Sequence, residues 1–206
     1  MTSTDTDSPT AARRKAEIAQ AARAELLEKG FEGLRMRAVA DRCGINVATL
    51  DYHVGGKDGL IALVAQSLVE DFRARRNLTS RTGMSGLEEL AQELADFRQV
   101  RLEHPDIHPI MATLTRRAPN DPGIARHMLP MKAFWHGKIT ELIAKGVDDG
   151  SLRPSLDPPT SARVFIWSIL SLGSPEHCNL DFPHHATEVL KLFASGPVDR
   201  LKGHFS

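Results

Sequence analysis

The sequence predicts an all-α protein of about nine helices, a small three-helix head followed by a larger helical body. Apolar residues recur at spacings of three and four, as in Ile18, Ala22 and Leu26, or Ile124, Met128, Met131, Trp135, Ile139 and Leu142. That period buries one face of a helix. Glycines and prolines cluster between such stretches, where helices stop and start. Nowhere does a sustained apolar/polar alternation lie between hairpin turns, so strands are not expected.

The elements follow in order. Residues 1–10 (MTSTDTDSPT) are polar and acidic and read as a disordered arm. A first helix is expected from Ala11 to Lys29, with Thr10 as N-cap and Gly30 as its stop. A second fits Met36 to Cys43 and ends at Gly44; a third begins after Asn46 and finishes near Val54, because Gly55-Gly56 follows. The fourth starts at Lys57-Asp58, carries Leu60, Ile61, Leu63, Val64 and Leu68, and fades near Arg76. Residues 77–86 form a soft boundary.

Beyond it, Leu87 to Glu103 places Leu87, Leu90, Leu94, Phe97 and Arg101 on one face, broken by Pro105. A shorter helix fits Ile107 to Arg117, then a long one Gly123 to Val147, closed by Asp148-Asp149-Gly150. Pro130 inside it either kinks the helix or begins its regular part. Two more are expected, Pro159 to Leu172 and His184 to Ser195.

Composition bounds the function. The 206 residues are 41% hydrophobic and 25% charged, as in an ordinary globular protein. No apolar run approaches the roughly 20 residues of a membrane span, and the N-terminus has no apolar secretory stretch. Cys43 and Cys178 lack paired-ligand spacing, which points to a reducing cytoplasm rather than a disulfide framework or structural zinc. The formal net charge is zero, and residues 1–60 hold nine Lys/Arg against nine Asp/Glu. Bulk charge therefore gives no nucleic-acid signal, and a DNA-binding reading rests on where the cations sit.

Residues 36–54 have the spacing of a helix-turn-helix, with Gly44 at the turn and Val39, Ala40, Ile45 and Leu50 able to seal two crossing helices. Alone this is a weak signal. Its surroundings are specific: Ile18 to Ala22, Gly30-Phe31, Val39-Ala40, Gly44-Ile45, Ala48-Thr49-Leu50, Lys57-Asp58 and Leu60 resemble, without a gap, the N-terminal domain of the TetR family. The later segment GVDDGSLRPSLDPPTSARV is similar to that family's link between its seventh and eighth helices.

The resemblance implies a helix-turn-helix DNA-binding domain at 11–56 and a ligand-binding and dimerisation domain at 57–206. It implies a homodimer, formed through the last two helices, on a near-palindromic double-stranded operator. The two recognition helices would lie about 34 Å apart. A small-molecule effector in the body would release the DNA, making the chain a repressor.

On this reading the DNA-binding candidates are Arg35, Arg37, Asn46, Val47, Ala48, Thr49, Tyr52, His53 and Lys57. Val47 and Ala48 are small enough to approach base edges, and Thr49 and Tyr52 reach a base or a phosphate. His53, Lys57, Arg35, Arg37 and the Arg13-Arg14-Lys15 run are placed for the backbone. Three positions depart from the family pattern. Asp51 stands where a phosphate-binding tyrosine is usual, Val54 where a Phe is, and Arg35 where a Ser or Thr caps the second helix. Asp51 can read a cytosine amino group, or pair with a neighbouring arginine and turn from the DNA; the second is the expectation.

For the effector, the candidate lining is Phe97, Arg101, His104, Met111, Leu114, Met131, Trp135 and Phe165, with His108, Thr115 and His136 as further polar candidates. Arg101 follows the Phe97 stripe by four and suits an anion if it points inward. The apolar eighth helix, with Val189, Leu190, Leu192 and Phe193, offers one face to the pocket and one to a partner. His177, Cys178, His184 and His185 match no tetrahedral motif, so neither metal nor cofactor is expected. No nucleophile elbow, paired-carboxylate motif or phosphate loop supports an enzyme. The competing reading is a helical small-molecule binder of the same fold with weak or lost DNA binding.

Overall fold

The computed structural model describes residues 9–76, 80–172 and 181–205. The expected arm lies almost wholly outside them, as do the start of the 77–86 boundary and His177 and Cys178. In chain order the helices are α1 (Pro9–Gly33), α2 (Met36–Arg42), α3 (Val47–Val54), α4 (Gly56–Arg76), α5 (Gly86–Glu103), α6 (Ile107–Arg117), α7 (Pro122–Asp148), α8 (Pro158–Leu172) and α9 (Phe182–Lys191). Short 3-10 segments occupy Ala118–Asn120 and Asp199–Phe205. Among the described residues the only strand-like pairing is an isolated bridge between Leu152 and Ala194. The fold is all-α, as expected.

The chain forms two compact units, residues 1–71 with 110–129, and 72–109 with 130–206. Two of the divisions adjoin prolines, Pro109 in α6 and Pro130 in α7. α7 continues across Pro130 as one helix, although the imide nitrogen cannot donate there.

In the first unit, Ile18, Ala22 and Leu26 of α1 are buried with Leu34, Val39, Ala40, Leu50, Leu60 and Val64. The stripe forms as the spacing predicts. Gly30, with φ 67, interrupts the helical path inside α1, a conformation open to a residue without Cβ.

The second unit has its own core, built from Leu87, Leu90, Leu94 and Phe97 of α5, Trp135, Ile139 and Ile143 of α7, and Phe165 and Ile169 of α8. α5 starts with a capping box: the Ser85 hydroxyl accepts from the Glu88 N–H, and Glu88 accepts from the Ser85 N–H. Gly86 lies so close to α7 that a Cβ there would sit 2.3 Å from the backbone of Gly146. The Gly86 N–H donates to Asp149 at 2.8 Å, and Lys145 donates to the Met84 carbonyl and Glu89.

α9 ends at Lys191, short of the predicted Ser195. The cause is competition for backbone groups: Arg153 N–H donates to the Phe193 carbonyl and Ser195 N–H to the Ser151 carbonyl. Those bonds pull residues 193–195 out of helical register. The C-terminal 3-10 segment, absent from the sequence reading, buries Leu201 and Phe205 in the same core.

Candidate nucleic-acid interface

The turn between α2 and α3 is fixed by backbone bonds. Ile45 N–H reaches the Ala40 carbonyl at 3.0 Å and Gly44 N–H the Asp41 carbonyl at 3.2 Å, with Gly44 at φ 63. This paired arrangement closes α2 through a left-handed residue. Asn46 then caps α3, its side-chain oxygen accepting from Thr49 N–H at 2.7 Å. Gly55, also left-handed, ends the helix after two turns.

α3 is therefore short, rigid at both ends and held by one buried anchor, Leu50. Its other side is open: Val47, Ala48, Asp51 and Tyr52 are exposed, Tyr52 to 87%. An aromatic ring left that far in solvent on a capped helix gives up apolar burial and offers a flat face and a hydroxyl. Its ring meets His53 edge-on, with centroids 5.5 Å apart. Thr49 and His53 are half-buried.

The cations around this face divide into two groups. Arg42 pairs with Glu25 and Glu28, each at 2.5 Å, and these bonds hold its guanidinium firmly charged. Arg13 and Arg14 pair with Glu17, and Arg23 with Asp71. These pairs hold three of the nine acids of residues 1–60, Glu17, Glu25 and Glu28. Arg37 is exposed on α2, and no acid is paired with it among the described residues. Lys57 opens α4 with its ammonium 6.0 Å from the Phe31 ring. Arg35 leaves α2 without a side-chain cap and donates instead to the carbonyls of Glu32 and Leu34. The expected arginine partner of Asp51 does not appear: the carboxylate is exposed and makes no ion pair among the described residues. It lies on the open side of α3, so it faces whatever that side meets.

Residues 18–64 match the family model described as bacterial regulatory proteins, tetR family. The helix-turn-helix head is therefore similar to the N-terminal domain of that family. Curated relatives extend the likeness past the head. The HTH-type transcriptional regulatory protein RaaS of Mycobacterium tuberculosis is 28% identical over 72% of this chain, a match spanning 64% of that protein. The HTH-type transcriptional repressor KstR2 of Mycolicibacterium smegmatis is 26% identical over 74% of each chain. Among solved structures, AibR in complex with isovaleryl coenzyme A and operator DNA superposes with a TM-score of 0.69 at 17% identity, covering 87% of this chain and 97% of that one. At that identity the likeness concerns the fold.

Beyond the matched head, the effector candidates fall into distinct settings. Phe97, Trp135 and Phe165 are buried members of the second unit's core. Met131 is buried in the same unit, and Met111 and Leu114 are buried in the first. Trp135 donates its indole N–H to Glu93 at 3.3 Å, and Arg81 holds Glu93 at 2.6 Å and Asp96 at 2.8 Å. Burial opposes the Arg81 charge, yet the two carboxylates outweigh it and keep the guanidinium charged. Arg101 is half-buried and donates to the Leu172 carbonyl at the end of α8. Its side chain is thus held rather than waving in solvent. His104 caps the C-terminus of α5 through its backbone. His108, two residues into α6 from Asp106, packs on Phe97 with centroids 4.1 Å apart.

α8 keeps Phe165 and Ile169 inside and leaves Val164, Trp167 and Leu170 exposed, Trp167 to 74%. No group of three or more metal-ligating side chains gathers among the described residues, and no described helix is long and apolar enough to cross a membrane.

Proposed function

We propose that the chain is a ligand-responsive transcriptional repressor that binds a near-palindromic operator as a homodimer. The observation that carries this reading is the open face of α3, where Tyr52 is exposed while Leu50 and the Asn46 cap hold the helix rigid. Tyr52, Ala48, Val47 and Thr49 contact bases, and Lys57, His53, Arg37, Arg35 and the Asn46 end of the helix contact backbone. Residues 11–56 act as the DNA-binding domain and 57–206 as the ligand-binding and dimerisation domain. A protein of the same fold, AibR, binds both isovaleryl coenzyme A and operator DNA, which supports a small-molecule effector for this chain.

The dimer forms through α8 and α9, because the Val164–Trp167–Leu170 face and Leu192 are apolar and open in the single chain. The protein works in the cytoplasm, without enzymatic activity and without a cofactor. A gel shift with the protein's own promoter DNA tests the reading. Specific binding abolished by Tyr52→Ala supports it; no binding at low salt overturns it. The second reading, a small-molecule binder with weak DNA affinity, is favoured by one feature, the exposed Asp51 carboxylate on the same face, which makes no ion pair among the described residues.

A further inference from the structure

His108 holds the one buried side-chain polar atom left without a hydrogen bond among the described residues, Nδ1. A buried ring nitrogen with no partner costs free energy unless something fills its place. The ring is fixed by its stack on Phe97, itself buried in the second unit's core, and the neighbouring Ile107 is fully buried. Burial keeps the imidazole neutral, the nearby Arg101 charge adds to that effect, and Asp106 acts in the opposite sense to a smaller degree. Arg101 commits one of its five donors to the Leu172 carbonyl, which pins the guanidinium in place.

We propose that His108 and Arg101 bind the carboxylate of a mainly apolar small molecule, with Phe97 as the apolar wall beside it. In the tautomer bearing a proton on Nδ1, His108 donates to one carboxylate oxygen, and a remaining Arg101 N–H donates to the other. The two residues lie in one unit of the fold and come from different helices, α5 and α6. A carboxylate leaves water at low cost only where it meets a charge and a donor together, and this corner offers both. Alcohols supply an oxygen but no charge for Arg101, so they bind less well. This inference rests on the effector-binding reading of the body and gives that effector a chemical class.

The test uses the full-length protein and straight-chain carboxylates from hexanoate to hexadecanoate, with the matching primary alcohols. Histidine-selective nitrogen NMR and calorimetry read the result. At least one carboxylate should move the His108 Nδ1 signal and bind ten times or more tighter than its alcohol. His108→Phe, which keeps the stack on Phe97, and Arg101→Met should each weaken that binding at least tenfold while melting as cooperatively as the wild type. Equal binding of acid and alcohol, undiminished binding by His108→Phe, or a His108 signal that no carboxylate moves, as with an ordered water alone at Nδ1, overturns the proposal. Promoter binding by the unliganded protein is measured in parallel: its absence beside intact carboxylate binding overturns the repressor and leaves the acid site standing.

Discussion

The Arg117 guanidinium, at the end of α6, lies 3.7 Å from the centre of the Phe31 ring and pairs with Glu32. Phe31 follows the Gly30 break in α1, and Lys57 of α4 approaches the same ring. One aromatic ring thus ties three helices of the first unit beside the helix-turn-helix. A cation over an aromatic face contributes about 0.5–1 kcal/mol at exposed sites, and an exposed ion pair adds less. Arg117→Ala should lower stability by about 1 kcal/mol, read as a shift in urea midpoint. Arg117→Lys should recover less than half, because an ammonium lacks the flat guanidinium that stacks on the ring.

Asp51 sets the second expectation. An exposed carboxylate on the open side of α3 repels phosphate. If it takes no part in base reading, Asp51→Asn should tighten binding to all DNA sequences by about three- to tenfold at low salt, in line with roughly 1 kcal/mol for one charge near a surface. Binding curves on promoter and unrelated DNA distinguish this from cytosine reading, in which promoter affinity alone falls.

Trp167 tests the dimer face. With Val164 and Leu170 it leaves α8 apolar toward solvent in the single chain. Trp167→Glu places a charge at the middle of that face and should weaken self-association by at least about thirtyfold. Light scattering after size exclusion should then find a monomer at concentrations where the wild type is a dimer.

His108 predicts a pH dependence with a definite sign. Its folded pKa is lowered to about 4 by burial and Arg101, from an ordinary value of 6.5. Between those values the unfolded chain binds more protons than the folded one, so stability falls as pH drops through this window and levels off below it. From pH 7 to pH 5 the contribution is on the order of 2 kcal/mol. His108→Phe should lose that part of the slope. An identical slope in wild type and variant would show that His108 charges freely in the folded state.

Much of the head was legible because its signals are local. Gly30, Gly44, Asn46 and Gly55 each act within a turn or two of their own positions, and each stands where the sequence placed it. The capping box at Ser85 and Glu88 was equally local and was overlooked; the Ser-x-x-Glu spacing was there to read. Other features depend on distant partners. Arg117 meets Phe31 and Glu32 across some 85 residues, Gly86 meets Gly146 backbone to backbone, and α9 stops early because residues 151–153 claim its last carbonyls and amides. Helical periodicity holds no record of such pairings. The orphaned nitrogen of His108 was hidden for the same reason, since only the packed structure shows which atoms lack partners.

The central claim is that α3 presents a DNA-reading face, and the salt dependence of promoter binding tests it most directly. Fluorescence anisotropy on labelled promoter DNA from 50 to 300 mM salt should give a steep linear fall of log affinity with log salt. Lys57→Ala should reduce that slope by about 0.9 per contact removed, and Tyr52→Ala should lower promoter affinity about tenfold or more with little change in slope. Binding that is absent at the lowest salt, or indifferent to both substitutions, would contradict the account.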